Sequence, residues 1–426
     1  MTADTIYALS SGSPPAGIAV VRISGPSADL ALRRLAGKLP TARMATLAEL
    51  RGEGGEPLDR ALVLRFPGPS SATGEDVAEL HLHGGRAVVA AVLSALSRVE
   101  GLRPAEPGEF TRRAFENGRL DLAEAEGLAD LLAAETESQR RSALALAGGA
   151  LSRRVAAWQA RILALAASLE AAIDFSDEGE VGEGLPPTWA EELEILFEEI
   201  DEAIRRPPAE RLRDGVRIVV AGPPNAGKSL LINVLCGRDV AITSPVEGTT
   251  RDVLEAPVAI AGNPFLLVDT AGLRDSEDAV ERAGIERARR QLEAADLILW
   301  LGPAAACPVP ERSILVQSKC DISPRDPDAE LHISAATGEG LGPLVEMITK
   351  RAARLLPAEG DVALNARHRG ALAVAMAGLA EARGSEDLLI RAEGLRQARN
   401  GLDRVTGRGG VEDMLDALFG TFCIGK

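Results

Sequence analysis

The feature that most restricts how this chain can fold is an apolar run, Ile218-Val219-Val220-Ala221, followed at once by Gly222-Pro223-Pro224-Asn225-Ala226-Gly227-Lys228-Ser229. The pattern is G-x-x-x-x-G-K-S, set between an expected buried strand and an expected helix over 230–235. Its glycines let backbone N–H groups curl around phosphate oxygens. Lys228 supplies a point charge for the β/γ-phosphates, and the Ser229 hydroxyl can hold Mg²⁺. A chance glycine-rich turn is the bland alternative, and the flanking strand and helix patterns argue against it.

Downstream, short apolar runs at 265–268, 297–301, 314–317 and 331–333 alternate with helical patterns as far as 356. Buried strands alternating with helices predict a doubly wound α/β sheet. The loop chemistry follows in a telling order. Gly248-Thr249-Thr250-Arg251-Asp252 offers a hydroxyl to Mg²⁺, and Asp269-Thr270-Ala271-Gly272 ends a strand close to where a γ-phosphate would lie. Lys319-x-Asp321 follows a further strand, and an aspartate there can accept both N–H donors of a guanine edge. Ser334-Ala335-Ala336 follows the last strand. One such motif is weak, but five in this order point to GTP rather than ATP.

The remaining chain surrounds that core. With 426 residues, two or three domains are expected. The pattern from 5 to 96 mixes strands at 17–23, 61–66 and 78–83 with helices at 27–35 and 84–96, an α+β domain. Apolar residues then recur at three- and four-residue spacing to about 204, a helical bundle broken by an acidic loop at 174–184, and helical composition returns from 362 to 419. His81 and His83 share a strand face, but no third ligand has a recognisable spacing, so they are read as ordinary strand residues. Four scattered cysteines exclude a disulfide framework and a CxxC metal site. No apolar run reaches membrane-spanning length and the first residues lack a signal-peptide layout, so a cytoplasmic location is expected. A net charge of −16 requires any nucleic-acid partner to be met by a local basic patch or another subunit.

At this point the chain resembles, over nearly its whole length, the MnmE (TrmE) family of tRNA-modification GTPases. The resemblance rests on residues 17–25 (GIAVVRISG), Thr73-Gly74-Glu75-Asp76, His83-Gly84-Gly85, the block 107–122, Asp269-Thr270-Ala271-Gly272-Leu273-Arg274 and the terminal Cys423-Ile424-Gly425-Lys426. It implies a folate-binding and dimerising α+β domain at 1–115, a helical domain in two parts at 116–212 and 357–426, and an inserted Ras-like P-loop GTPase domain at 213–356. It implies a nucleotide set of Gly222, Asn225, Ala226, Gly227, Lys228, Ser229 and Leu230, with Ser244, Thr249 and Thr250. Asp269, Thr270, Ala271, Gly272, Ser318, Lys319, Asp321, Ser334, Ala335 and Ala336 complete that set. Mg²⁺ would be held by Ser229 and Thr250.

The residue after Gly272 is Leu273, which cannot orient a water as glutamine does in many GTPases. By resemblance, K⁺ held by Asn225, Ser244, Val246 and Thr249 supplies the missing charge when two GTPase domains meet, and Glu281 orients the water. Arg22, Glu79, Arg119 and Lys426 match the family's folate contacts, for a tetrahydrofolate derivative in the 5-formyl or methylene form. Cys423 would then be a functional cysteine near the one-carbon donor, although a lone cysteine beside Phe422 and Ile424 more often packs as a small apolar residue. The implied activity is modification of the wobble uridine at carbon 5 of certain tRNAs by a homodimer working with an MnmG-type FAD-dependent partner as a heterotetramer, without a membrane. A competing reading is a GTP-dependent assembly or regulatory switch, similar to ribosome-biogenesis GTPases; those lack the N-terminal blocks and the terminal CxGK. Three departures from the family pattern stand out. Ser318 replaces the usual Asn of Asn-Lys-x-Asp, Ala72 replaces a Tyr before Thr73, and the segment 302–312 is shortened. Arg119 also stands where Lys is frequent.

Overall fold

The computed structural model describes residues 4–174, 185–238, 255–269, 289–358, 360–408, 415, 418–420 and 422–425. The chain divides into two compact units, Met1–Ala129 with Thr406–Lys426, and Asp130–Val405.

The first unit is built on a six-stranded sheet of β1 (Thr5–Leu9), β2 (Ala16–Ser24), β3 (Thr46–Arg51), β4 (Pro57–Phe66), β5 (Val77–Gly84) and β6 (Leu102–Pro104), in the order β3-β4-β5-β2-β1-β6. Neighbours are antiparallel except β1 and β6. In β5 alternation sorts the side chains: Ala78, Leu80 and Leu82 are buried, whereas Glu79, His81 and His83 face outward. The buried set packs with Val21, Ile23 and Val63 beneath α1 (Ala28–Ala36) and α2 (Arg86–Leu96). The expected strands at 17–23, 61–66 and 78–83 and both expected helices are present. β1, β3 and β6 were not anticipated. His81 Nε2 lies 3.3 Å from Glu79 Oε2, and His83 Nδ1 lies 2.7 Å from Asp59 Oδ1. Beyond the sheet lie α3 (Glu109–Glu116) and α4 (Leu122–Ala133), and Leu122 and Ala125 are buried with Leu415, Phe419 and Phe422 from the C-terminal segment.

The second unit contains the long helices α5 (Glu137–Ala147), α6 (Ala150–Asp174) and α7 (Pro187–Arg205), with the short α8 (Glu210–Asp214). A capping box starts α5: Gln139 N donates to Thr136 Oγ1 at 3.3 Å, and Thr136 N donates to Gln139 Oε1 at 2.8 Å. Among the described helices, α6 alone is long and apolar enough to cross a membrane by length and composition. Its buried row of Val155, Trp158, Ile162, Leu165 and Leu169 faces the bundle, and Arg161 donates to Glu192 and Glu199 of α7.

The same unit holds a second sheet of β7 (Val216–Ala221), β8 (Glu255–Ile260), β9 (Asn263–Asp269), β10 (Leu297–Trp300), β11 (Ser313–Gln317) and β12 (Leu331–His332), ordered β12-β11-β10-β7-β9-β8. All its pairs are parallel except β8 with β9. Ile218 and Val220 are buried on one face, with α9 (Lys228–Arg238) and α10 (Leu341–Ala352) contributing to that layer, and Val219 and Val268 are buried on the other. Apolar residues on both faces explain why these strands read as continuous apolar runs rather than alternating ones. The expected multidomain architecture, an α+β part, a helical part and a doubly wound P-loop sheet, is the one observed. The antiparallel edge strand β8 was not foreseen.

Beyond that sheet run α11 (Ala366–Gly384) and α12 (Leu388–Thr406), whose backbones nearly touch: a Cβ on Gly378 would lie 2.4 Å from the Gly394 carbonyl oxygen. The β8–β9 hairpin turns through Ala261 and Gly262, with φ of 50° and 77°, the signature of a type I′ turn. The Gly262 carbonyl accepts the Ser138 amide of α5 at 3.1 Å.

Candidate functional site

The loop after β7 opens at the carboxyl edge of the parallel strands, where open α/β sheets place their ligands. Gly222 has φ 148°, and a Cβ there would meet the backbone of Leu301 at 2.9 Å, because β7 and β10 run side by side to this point. Gly227 (φ 87°) and Asn225 (φ 60°) complete a loop that only glycine, or a short polar side chain, follows without strain. Helix α9 starts directly at Lys228, so its amide-rich positive end faces the loop. Lys228 is 9% exposed and donates to the carbonyls of Gly222 at 3.0 Å and Pro223 at 2.8 Å. Ser229 Oγ donates to Asp269 Oδ2 at 2.7 Å, and Asp269 is 4% exposed. Because Asp269 pairs in register with Val220, the end of β9 lies beside the root of the loop.

The segments 319–321 and 334–336, expected to bind the base, follow β11 and β12 at the same edge. Lys319, at φ 58°, donates from Nζ to the Asn225 carbonyl at 2.7 Å. This contact ties the 319–321 segment to the phosphate loop through lysine, although the usual asparagine is replaced by Ser318. Asp321 is exposed, and Cys320 N donates to Ile333 O at 3.1 Å, which joins the segment to the residue between β12 and Ser334. Ser334 is buried and its hydroxyl accepts the Thr337 amide, fixing the turn that carries Ala335 and Ala336. Burial, then the neighbouring Glu339 and Asp321 carboxylates, push the Cys320 thiol above its ordinary range.

In the first unit, Arg22 of β2 faces Glu79 of β5 in register, donating to Oε1 from Nε at 3.0 Å and from Nη2 at 2.9 Å. Arg22 also lies over the Phe110 ring, 5.9 Å from its centre. Arg119 follows the last turn of α3, and its amide donates to Ala114 O at 2.7 Å. The turn at Gly74 (φ 82°) packs against it: a Cβ on Gly74 would lie 2.8 Å from Asn117 Cβ and 3.3 Å from Arg119 Cγ. Behind these residues runs a polar network that the sequence did not disclose. Arg113, 3% exposed, donates to Asp4, Glu75 and Glu109, and Ser24 donates to Glu75 at 2.7 Å and lies 2.6 Å from the Thr73 hydroxyl. Burial alone would raise the Glu109 carboxyl, but the Arg103 and Arg113 guanidiniums hold it below its ordinary range. Cys423 is exposed and follows the buried Phe422; its neighbour Ile424 bridges antiparallel to Pro107, and a Cβ on Gly425 would strike the Leu9 carbonyl oxygen.

Comparison with known proteins adds relatives across the whole length. The profile of the MnmE helical domain matches residues 122–423, and that of the GTP-binding protein TrmE N-terminus matches 5–119. The tRNA modification GTPase MnmE of Rhizorhabdus wittichii is 58% identical over 99% of this chain and 97% of the relative. That of Erythrobacter litoralis is 57% identical over 99% of this chain and 100% of the relative. The chain belongs to the MnmE family. Among solved structures, the G domain of the T. maritima FeoB iron transporter is 23% identical, covering 32% of this chain and 98% of that one at a TM-score of 0.24.

Within this MnmE-family chain the described residues gather into two groups. Gly222, Asn225, Ala226, Gly227, Lys228, Ser229, Leu230 and Asp269 stand around one loop, with Lys319 and Asp321 tied to it. Arg22, Glu79, Arg119 and Cys423 lie in the other unit. Ser244, Val246, Thr249, Thr250, Thr270, Ala271, Gly272, Leu273, Glu281 and Lys426 lie outside the described residues. Residues that sequence reasoning missed are Gln317, Arg113 and Ser24. Glu75 was quoted as part of a motif, without a role. Arg113 finds Glu109 one helical turn away and Gln317 finds its partners seven and nine residues on, but Asp4, Thr73 and Glu75 reach Arg113 and Ser24 from distant segments.

Proposed function

We propose that this chain is a GTP hydrolase that couples K⁺-stimulated turnover and GTPase-domain pairing to modification of the tRNA wobble uridine at carbon 5, acting as a homodimer with an MnmG-type flavoprotein. The reading is carried by the Ser229–Asp269 hydrogen bond, which sets the phosphate-loop hydroxyl and a strand-end carboxylate side by side. Two hard oxygen donors at the amide-rich start of α9 suit Mg²⁺ beside nucleotide phosphates. Ser229 and Thr250 would hold Mg²⁺ there, and the ion would supply positive charge to the β/γ-phosphates. Lys228 shares that work, and Asp321 selects guanine by accepting its two N–H donors.

Of the proposed K⁺ ligands only Asn225 is described, and its left-handed backbone belongs to the loop that would present an oxygen to the cation. Glu281 is proposed to orient the attacking water, since Leu273 has no group to do so. For a reduced folate, the Arg22–Glu79 pair supplies a carboxylate for ring N–H donors and a guanidinium for carboxylates, with Arg119 and Lys426 as further cations. Cys423 is proposed to act near that group. The division into 1–115, 116–212, 213–356 and 357–426 is proposed as the functional one. A cytoplasmic location follows from a tRNA substrate.

The test compares GTP turnover in K⁺ and Na⁺ at equal ionic strength. Turnover several-fold faster in K⁺ is expected, and equal rates would remove the K⁺ mechanism. Nucleoside analysis of tRNA from a strain lacking the protein is expected to show loss of the wobble modification; an unchanged wobble uridine would remove the tRNA role.

A further inference from the structure

Gln317, the last residue of β11, uses both ends of its carboxamide. Nε2 donates to the Pro324 carbonyl at 2.6 Å, and Oε1 accepts the Asp326 amide at 2.7 Å. These are the two bonds that a backbone peptide group would make, so one side chain pins the return of the loop that carries Lys319 and Asp321. Within that loop the Ile322 and Ser323 amides both donate to the Lys319 carbonyl at 3.1 Å, forming a tight turn around Asp321. The outer end is held again, because His332 Nε2 lies 2.9 Å from the Asp326 carbonyl. The Gln317 carbonyl accepts Ile333 N at 2.8 Å, which fixes the strand end itself.

Next in the chain is Ser318, where the guanine-binding pattern ordinarily has asparagine. Its hydroxyl makes no hydrogen bond among the described residues, and a hydroxyl lacks the second arm with which a carboxamide bridges two groups. The chain therefore has an amide at this corner after all, displaced by one residue and turned toward 324–326. We infer that Gln317 is the positioning residue of guanine recognition here, holding the Asp321 loop in shape in place of the amide missing at position 318. This rests on reading 319–321 as the guanine-binding segment.

The test is a double-mutant cycle on the full chain, reading fluorescent GDP affinity and steady-state GTP turnover. Gln317→Ala is expected to weaken GDP about tenfold, chiefly through faster release, with kcat at saturating GTP within about twofold. In a Ser318→Asn background the same change is expected to cost less than about threefold, since the new amide takes over. Gln317→Glu, which keeps size and acceptor but loses the donor to Pro324, is expected to follow Gln317→Ala, and it serves if the alanine variant does not fold. An equal cost in both backgrounds, or a fall in kcat at unchanged affinity, would overturn the inference. Competition by ADP and by xanthosine diphosphate against wild type and Asp321→Asn separates the two claims. If ADP competes as well as GDP in the wild type, the guanine reading itself fails; if Asp321→Asn moves preference toward xanthine while the cycle is additive, only the Gln317 inference fails.

Discussion

Ser229 and Asp269 meet through one short hydrogen bond. Ser229→Ala leaves Asp269 in a buried place without that donor and removes a proposed Mg²⁺ ligand. The expected result is a GDP affinity that no longer differs between Mg²⁺ and EDTA buffers, against a gap of tenfold or more in wild type, about 1.4 kcal/mol. A retained gap would show that the hydroxyl is not a ligand. At this scale the sequence was most legible where segments are contiguous: the strand, loop and helix around Gly222, Lys228 and Ser229 fold as expected because they are neighbours in the chain. Gln317 was illegible for the opposite reason. A glutamine ending an apolar run reads as a surface residue until the chain comes back at Pro324 and Asp326.

Strands and helices show the same divide between local pattern and distant partner. β2, β5, β7 and β9 announced themselves by alternation or by apolar runs. β3 (TLAELR) and β6 (LRP) carry too little apolar pattern, and β8 lies at an edge with Glu255 and Pro257 among its six residues. The docking of the C-terminal segment was legible only through the family resemblance, since Pro107 and Ile424 bridge across most of the chain. Gly425 (φ 97°) is the keystone of that contact, with the Leu9 carbonyl oxygen only 2.2 Å from where a Cβ would stand. Gly425→Ala is expected to release the segment and to lower the stability of the first unit by about 1–3 kcal/mol, read as a lower Tm together with faster proteolysis after residue 420. An unchanged Tm and cleavage pattern would refute the docking role.

Over the whole molecule, the first unit carries an acid-sensitive centre. The Asp4 and Glu109 carboxyls, pushed up by burial but pulled down further by Arg103 and Arg113, titrate below their ordinary values of 3.8 and 4.5. A carboxyl with a depressed folded pKa stabilises the fold above its unfolded value and loses that contribution as pH falls through the folded one. Tm is therefore expected to hold down to about pH 5 and to drop steeply toward about pH 3, with a shallower drop in Arg113→Met, whose baseline is already lower. Parallel curves for the two proteins would contradict this account.

The second unit carries a different kind of connection. β9 begins at the turn held by α5 and ends at Asp269, seven residues or roughly 20 Å away at the rise of an extended strand. Neighbouring strands pair with it on both sides, as in a pushrod held in its guide, and a shift imposed at the Asp269 end is expected to reach the Ser138 amide. Hydrogen exchange of that amide, compared between GDP and a non-hydrolysable GTP analogue, is expected to change, and identical exchange would mean the rod ends in a fixed bearing. The described helical part would then feel the state of the nucleotide through β9.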